Sequence, residues 1–141
     1  MAGASGSGYS GTPLEKKLGI RENMRVRLIH APENYFDFFI EWPPDIKILS
    51  DSRGKKNFIH LFIKEEAEYY SLLPILKSEI EIDGMIWVSW PKKSSKMKSG
   101  ITEDMIRNYA LEIGLVDIKV CSVSEVWSAL KLVIPVKFRK S

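Results

Sequence analysis

The chain has 141 residues, 45% of them hydrophobic and 28% charged, which is enough for one domain with a real core. No apolar run approaches the roughly 20 residues that a membrane span needs, and the small, polar N-terminal stretch lacks the apolar segment of a signal peptide. A formal net charge of +3 is too small to demand a nucleic-acid partner, and a single cysteine, Cys121, excludes an internal disulfide and fits a reducing, cytoplasmic setting.

Residues 1–11 are nearly all Gly, Ser and Ala, a composition that buries too little surface to order itself, so a flexible tail is expected before one domain over 12–141. Thr12-Pro13 offers an N-cap followed by Pro in the first turn of a short helix that ends at Gly19. Met24 to His30 reads as the first strand. The aromatic stretch Asn34 to Trp42 reads as a short helix stopped by Pro43-Pro44, followed by a short strand over 46–49 and a polar turn from Asp51 to Lys56. Asn57 to Ile63 reads as a strand buried on both faces. A helix opens at Glu65-Glu66, with Pro74 inside it predicting a kink or two abutting helices. Asp83-Gly84 is expected to turn the chain into a fourth strand, Met85 to Trp90. Thr102 caps a helix whose apolar stripe is Met105, Ile106, Tyr109, Ala110 and Ile113, with Gly114 at its end. The last two strands, 117–123 and 127–136, are joined by a connection too short for a crossover, so they pair antiparallel.

This order predicts an α/β fold, a Rossmann-like three-layer sandwich whose mostly parallel sheet ends in an antiparallel hairpin. Such a closing hairpin is similar to that of Class I methyltransferases, a likeness of fold that assigns no activity. Ligands of parallel sheets bind where the strands' carboxyl ends gather. Sequence order sends three loops there: His30-Ala31-Pro32-Glu33, Asp51-Ser52-Arg53, and the loop carrying Lys92, Lys93, Lys96 and Lys98. A rim with His30, Glu33, Asp51, Arg53 and these lysines suits an anion such as a phosphate, while a merely solvating loop is the plainer reading. Trp90 stands beside Pro91-Lys92-Lys93, and an aromatic next to lysines is also how single-stranded nucleic acid is held, although strand tryptophans are mostly core.

The chemistry of the first turn argues against an ordinary nucleotide site. Dinucleotide and S-adenosylmethionine enzymes need glycines after the first strand, and His30-Ala31-Pro32-Glu33-Asn34 has none. Asp51 is placed to hold a ribose, but a lone Asp in a turn is ordinarily a turn residue. His30 is the better general base of the two histidines, with Glu33 or Glu41 to orient it, whereas His60 lies inside an apolar strand and reads as structural. No metal-ligand spacing is present, no cofactor is implied, and Ser128-Ala129-Leu130-Lys131 matches a catalytic S-x-x-K only by accident, because it reads as strand.

Three segments carry a further resemblance: Gly8-Tyr9-Ser10-Gly11-Thr12-Pro13-Leu14 with Lys17-Leu18-Gly19-Ile20, then Gly84 to Lys93, then Gly114 to Cys121 with Trp127-Ser128. Together they resemble a family of small bacterial proteins known as domain of unknown function number three thousand and fifty-two. The resemblance implies a bacterial, cytoplasmic protein and transfers no catalytic residue. The leading expectation is therefore a non-catalytic Rossmann-like domain that binds an anionic ligand or a protein partner at the carboxyl edge, with a homo-oligomer also open. The alternative is a degenerate S-adenosylmethionine-dependent methyltransferase-like enzyme with an altered pocket near His30, Glu33 and Asp51.

Overall fold

The computed structural model describes residues 11–97 and 99–139; all but Gly11 of the expected tail over 1–11, and Lys98 of the lysine loop, lie outside them. The elements are α1 (Leu14–Leu18), β1 (Arg25–Ile29), β2 (Lys47–Ile48), β3 (Lys56–Phe62), α2 (Glu66–Lys77), β4 (Ile80–Pro91), α3 (Glu103–Glu112), β5 (Val116–Ser122) and β6 (Trp127–Val133). One six-stranded sheet has the order β2-β1-β3-β4-β6-β5. The first four strands run parallel, and β6 enters antiparallel between β4 and β5. The fold is the methyltransferase-like Rossmann arrangement expected from the sequence.

The sheet is buried on both faces because its central strands are apolar at consecutive positions, so both pleat directions carry core residues. One face buries Ile59, Leu61, Ile86 and Val88 against Tyr69, Leu73 and Leu76 of α2 and Ile106 and Ala110 of α3. The other buries Val26, Phe58, Phe62, Met85 and Trp87 against α1 and Tyr35, with Phe38, Phe39 and Trp42 packed at its margin. Trp87 donates its indole N–H to the carbonyl of Leu18, satisfying an orphan acceptor at the end of α1.

Several local expectations change. Pro13, not Thr12, takes the N-cap position of α1, and Gly19 closes it in the left-handed region. The aromatic stretch forms only a 3-10 turn, Tyr35–Phe38. Pro74 neither breaks nor divides α2: it leaves the carbonyl of Tyr70 without its helical donor, and the Tyr109 hydroxyl of α3 supplies one at 3.2 Å. Asp83-Gly84 is not the entry turn. β4 begins at Ile80, and the register runs from Lys56↔Ile80 to Phe58↔Met85, so an irregularity on β4 absorbs the extra residues. A Cβ at Gly84 would stand 3.0 Å from the carbonyl oxygens of Glu81 and Lys56, which is why a glycine fits there. Thr102 caps α3 as expected, its hydroxyl accepting from the Met105 amide at 3.2 Å.

Candidate functional site

The carboxyl ends of β1 and β3 open into a cleft of about 380 Å³ lined by His30, Pro32, Phe62, Lys64, Glu68, Met97 and Trp127. A smaller hollow of about 260 Å³ continues past Trp127, along Asn34, Phe38 and the turn Ser124–Val126. Each wall follows from an element's end. His30 is the residue after β1, and Phe62 is the last of β3. Glu68 lies in the first turn of α2, and Trp127 opens β6 opposite Pro91. The loop after β4 is tied down by the Ser99 hydroxyl, which donates to the Lys64 carbonyl at 2.8 Å and accepts from the Ile101 amide.

The cleft floor is rigid and aromatic. Phe62 stacks on His60, with centroids 4.3 Å apart, and meets Trp127 edge to face at 4.9 Å. His60 is fully buried between the Tyr35 hydroxyl, 2.9 Å from Nδ1, and the Ser89 hydroxyl, 2.7 Å from Nε2. Burial drives its pKa down to about 3, so the ring is neutral and one nitrogen donates while the other accepts. Ser89 is equally buried, so this Ser–His–Tyr chain is a structural support and not a nucleophile with its base.

The predicted site residues divide. His30 lies in the cleft, half-exposed, with φ of 59°. Its partner is Glu68, 3.3 Å from Nδ1, rather than Glu33 or Glu41, because α2 starts directly over the end of β1. Glu33 is exposed beside the cleft. Asp51 and Arg53 are not on this rim. With β2 only two residues long, the chain turns back, and the Asp51 and Arg53 carbonyls accept from the Lys56 ammonium at the amino end of β3. Asp51 bonds the backbone and guanidinium of Arg53, which holds its carboxyl below the usual range, so it is a turn residue. Trp90 belongs to the core under α2 and α3, and the aromatic at the cleft is Trp127, on the opposite pleat direction. Lys92 is tethered: its amide donates to Val126 and its ammonium to the Ser122 hydroxyl at 2.6 Å. Lys93 and Lys96 are exposed. Lys64, Glu68 and Met97 escaped sequence reasoning, and Trp127 reads in the sequence as a core aromatic of its strand. For Lys64 and Glu68 a signal existed, since both follow a carboxyl-edge strand.

Burial raises the Cys121 thiol above its ordinary pKa, which disfavours the thiolate. Among the described residues no cluster of His, Cys, Asp or Glu is arranged to hold a metal, and no helix is long and apolar enough to cross a membrane.

No family model matches the chain, and no curated protein matches it. Solved structures do. An O-methyltransferase family 2 protein from Planctomyces limnophilus, crystallised with apigenin, superposes with a TM-score of 0.61 at 6% identity, over 81% of this chain and 50% of that one. An O-methyltransferase of neocarzinostatin biosynthesis, in complex with S-adenosylmethionine, gives 0.59 at 8% identity, over 79% and 49%. A SAM-dependent methyltransferase from Aquifex aeolicus gives 0.57 at 12% identity, over 86% and 88%. The chain thus spans about half the length of the first two. At these identities the likeness is one of fold.

The features by which sheets of this kind ordinarily hold a nucleotide are altered here. The turn after β1 keeps a backbone conformation that glycine favours, but His30 places a side chain there. The acid after β2 is turned away and paired with Arg53. Only the apolar walls, Phe62, Trp127, Met97 and Pro32, suit a flat heterocycle. No methyl-transfer step is derived from this site. The chain shares the Rossmann-like fold of these methyltransferases, and its cleft lies at the carboxyl edge of the parallel strands.

Proposed function

We propose that this chain is a degenerate methyltransferase-like domain that binds a small molecule, with an adenosine-type ring system and an anionic group, in the cleft between β1, β3 and β6. One observation carries the reading: the cleft lies at the carboxyl edge of the parallel strands, where this fold binds its ligands, and it combines an aromatic floor with the Lys64 ammonium. The altered turn at His30 and the displaced Asp51 support binding without the ordinary cofactor pose. Membership of the bacterial family of unknown function resembled in sequence is part of this reading and adds no activity to it.

Thermal-shift and calorimetric titration with S-adenosylmethionine, S-adenosylhomocysteine, adenosine and AMP test it. A ligand at 100 times its Kd adds about 2.7 kcal/mol, or roughly 9 °C for a domain of this size. The expected result is stabilisation by an adenosine-containing ligand, greater for AMP than for adenosine, with the difference erased in Lys64→Glu. Silence across the whole panel refutes the proposal. A second reading rests on the exposed Lys93 and Lys96 beside the cleft: a polyanion held by charge alone. Short single-stranded DNA and RNA, added at rising salt, report on it through the steep salt dependence of such binding.

A further inference from the structure

The face of the sheet covered by α1 carries two surfaces of opposite charge on either side of that helix. On one side runs the segment 31–46. It holds four acids, Glu33, Asp37, Glu41 and Asp45, without a single Lys or Arg, so the rest of the chain carries +7 against its −4. All four acids are exposed, and none is in an ion pair among the described residues. Between them stand Phe36, 49% exposed, and Ile40, 79% exposed. The segment is fixed to α1 by the buried carboxylate of Glu15, which accepts from the amides of Ile40 and Glu41 at 3.2 and 3.0 Å.

On the other side of α1 the charge reverses. Lys119 of β5 stands directly opposite Lys131 of β6, a like-charge cross-strand pair that costs stability in an isolated sheet. Lys119 is tied to α1 by a bond from its ammonium to the Lys17 carbonyl. Burial together with Lys119, Arg21 and Arg139 lowers the pKa of Lys131, so the positive charges crowd one another. The adjoining C-terminal turn adds Lys137 and two exposed apolar residues, Val136 at 77% and Phe138 at 56%. Ile40 and Val136 are the two most exposed large apolar residues described, one in each half.

We infer that this face is the interface of a two-fold homodimer, in which the acidic half, Phe36 to Glu41, of one copy covers the basic half, Lys119, Lys131 and Val136 to Arg139, of the other. A two-fold interface requires one patch complementary to itself, and a face with one negative and one positive half, each with an apolar knob, meets that condition when the axis passes near α1. A standard interface takes about 800 Å² from each partner, near a tenth of the 8059 Å² surface. The acids of the partner would also relieve the Lys119–Lys131 repulsion.

Light scattering and sedimentation velocity at low and high salt test the inference. The wild type is expected at twice its 16.1 kDa mass in low salt, with dissociation as salt rises. Two double variants, Asp37→Lys/Glu41→Lys and Lys119→Glu/Lys137→Glu, are each expected to be monomeric with unchanged circular dichroism. Mixed in equal amounts, they are expected to recover the doubled mass, because the two reversed charges then complement each other. A monomeric wild type in low salt overturns the inference. So does a dimer that survives both variants, or a mixture that stays monomeric.

Discussion

Acid should unfold this protein through one residue more than any other. His60 is completely buried, and its pKa of about 3 lies well below the 6.5 of an exposed histidine. Above pH 6.5 the ring is neutral in both folded and unfolded chains and contributes nothing to the pH dependence. Below 6.5 the unfolded chain takes up a proton that the native chain refuses until about pH 3. Stability is therefore complete above pH 6.5 and falls as pH drops through the window from 6.5 to 3. At about 1.4 kcal/mol per pH unit the loss reaches roughly 5 kcal/mol, a third or more of the stability of an ordinary domain. Other groups titrate in that window too, so the comparison must be differential. The triple variant Tyr35→Phe/His60→Leu/Ser89→Ala removes the titrating ring without orphaning either hydroxyl, since both of their bonds go to His60. Urea unfolding at stepped pH should show the wild type losing stability faster than the triple variant between pH 6 and 4, with equal slopes above pH 7. With only two histidines in the chain, proton NMR resolves the same point directly: the His60 ring should stay neutral while the fold lasts. Equal slopes in the two proteins, or a His60 resonance titrating near pH 6, would refute the reasoning.

Three further outcomes follow from single contacts. Lys56 and Glu79 are an almost fully buried pair, 3.1 Å apart, with Arg27 bonding both oxygens of the same carboxylate; Glu79→Gln or Lys56→Met should cost about 3–5 kcal/mol in urea unfolding, and the double variant less than the sum. Thr102→Ala should cost about 1 kcal/mol by removing the cap of α3, read as a lower urea midpoint at unchanged slope. Gly84→Ala presses a methyl against backbone oxygens on two segments and should cost about 1–3 kcal/mol, with a lowered Tm as the measurement.

The parts of the fold that were legible in the sequence are those governed by neighbours along the chain. β3 and the body of β4 announce themselves as apolar at both parities. α3 has its cap, its stripe and its terminal glycine within thirteen residues, and the four-residue connection before Trp127 forces an antiparallel hairpin. The site depends on relations that no local pattern records. Trp90 and Trp127 look alike in the sequence, yet strand parity sends one under α2 and the other to the cleft. Asp51 follows a strand and so belongs, by rule, at the carboxyl edge, but a two-residue strand lets the chain fall back toward the start of β3. Glu79 lies between α2 and β4, and only the fold brings it to Arg27, fifty-two residues away, and to the buried ammonium of Lys56. That Pro74 leaves α2 undivided is equally hidden from local pattern, since the Tyr109 hydroxyl that satisfies the freed carbonyl comes from another helix.

The turn after β1 joins the fold to the proposed function. In this architecture that turn must let a ligand approach the backbone, and a positive φ is the conformation that glycine takes most easily. Here φ is positive and the residue is His30, so a side chain stands where glycine would leave none, and it lines the cleft. An imidazole in that place costs some backbone strain, which histidine tolerates better than a β-branched residue. It also reaches across to Glu68 and closes the end of β1 against α2. The open space lies toward β3 and β6, where Phe62 and Trp127 form the wall and Lys64 stands at its edge. His30 thus shapes the cleft from the turn after β1, by its positive φ and by its contact with Glu68.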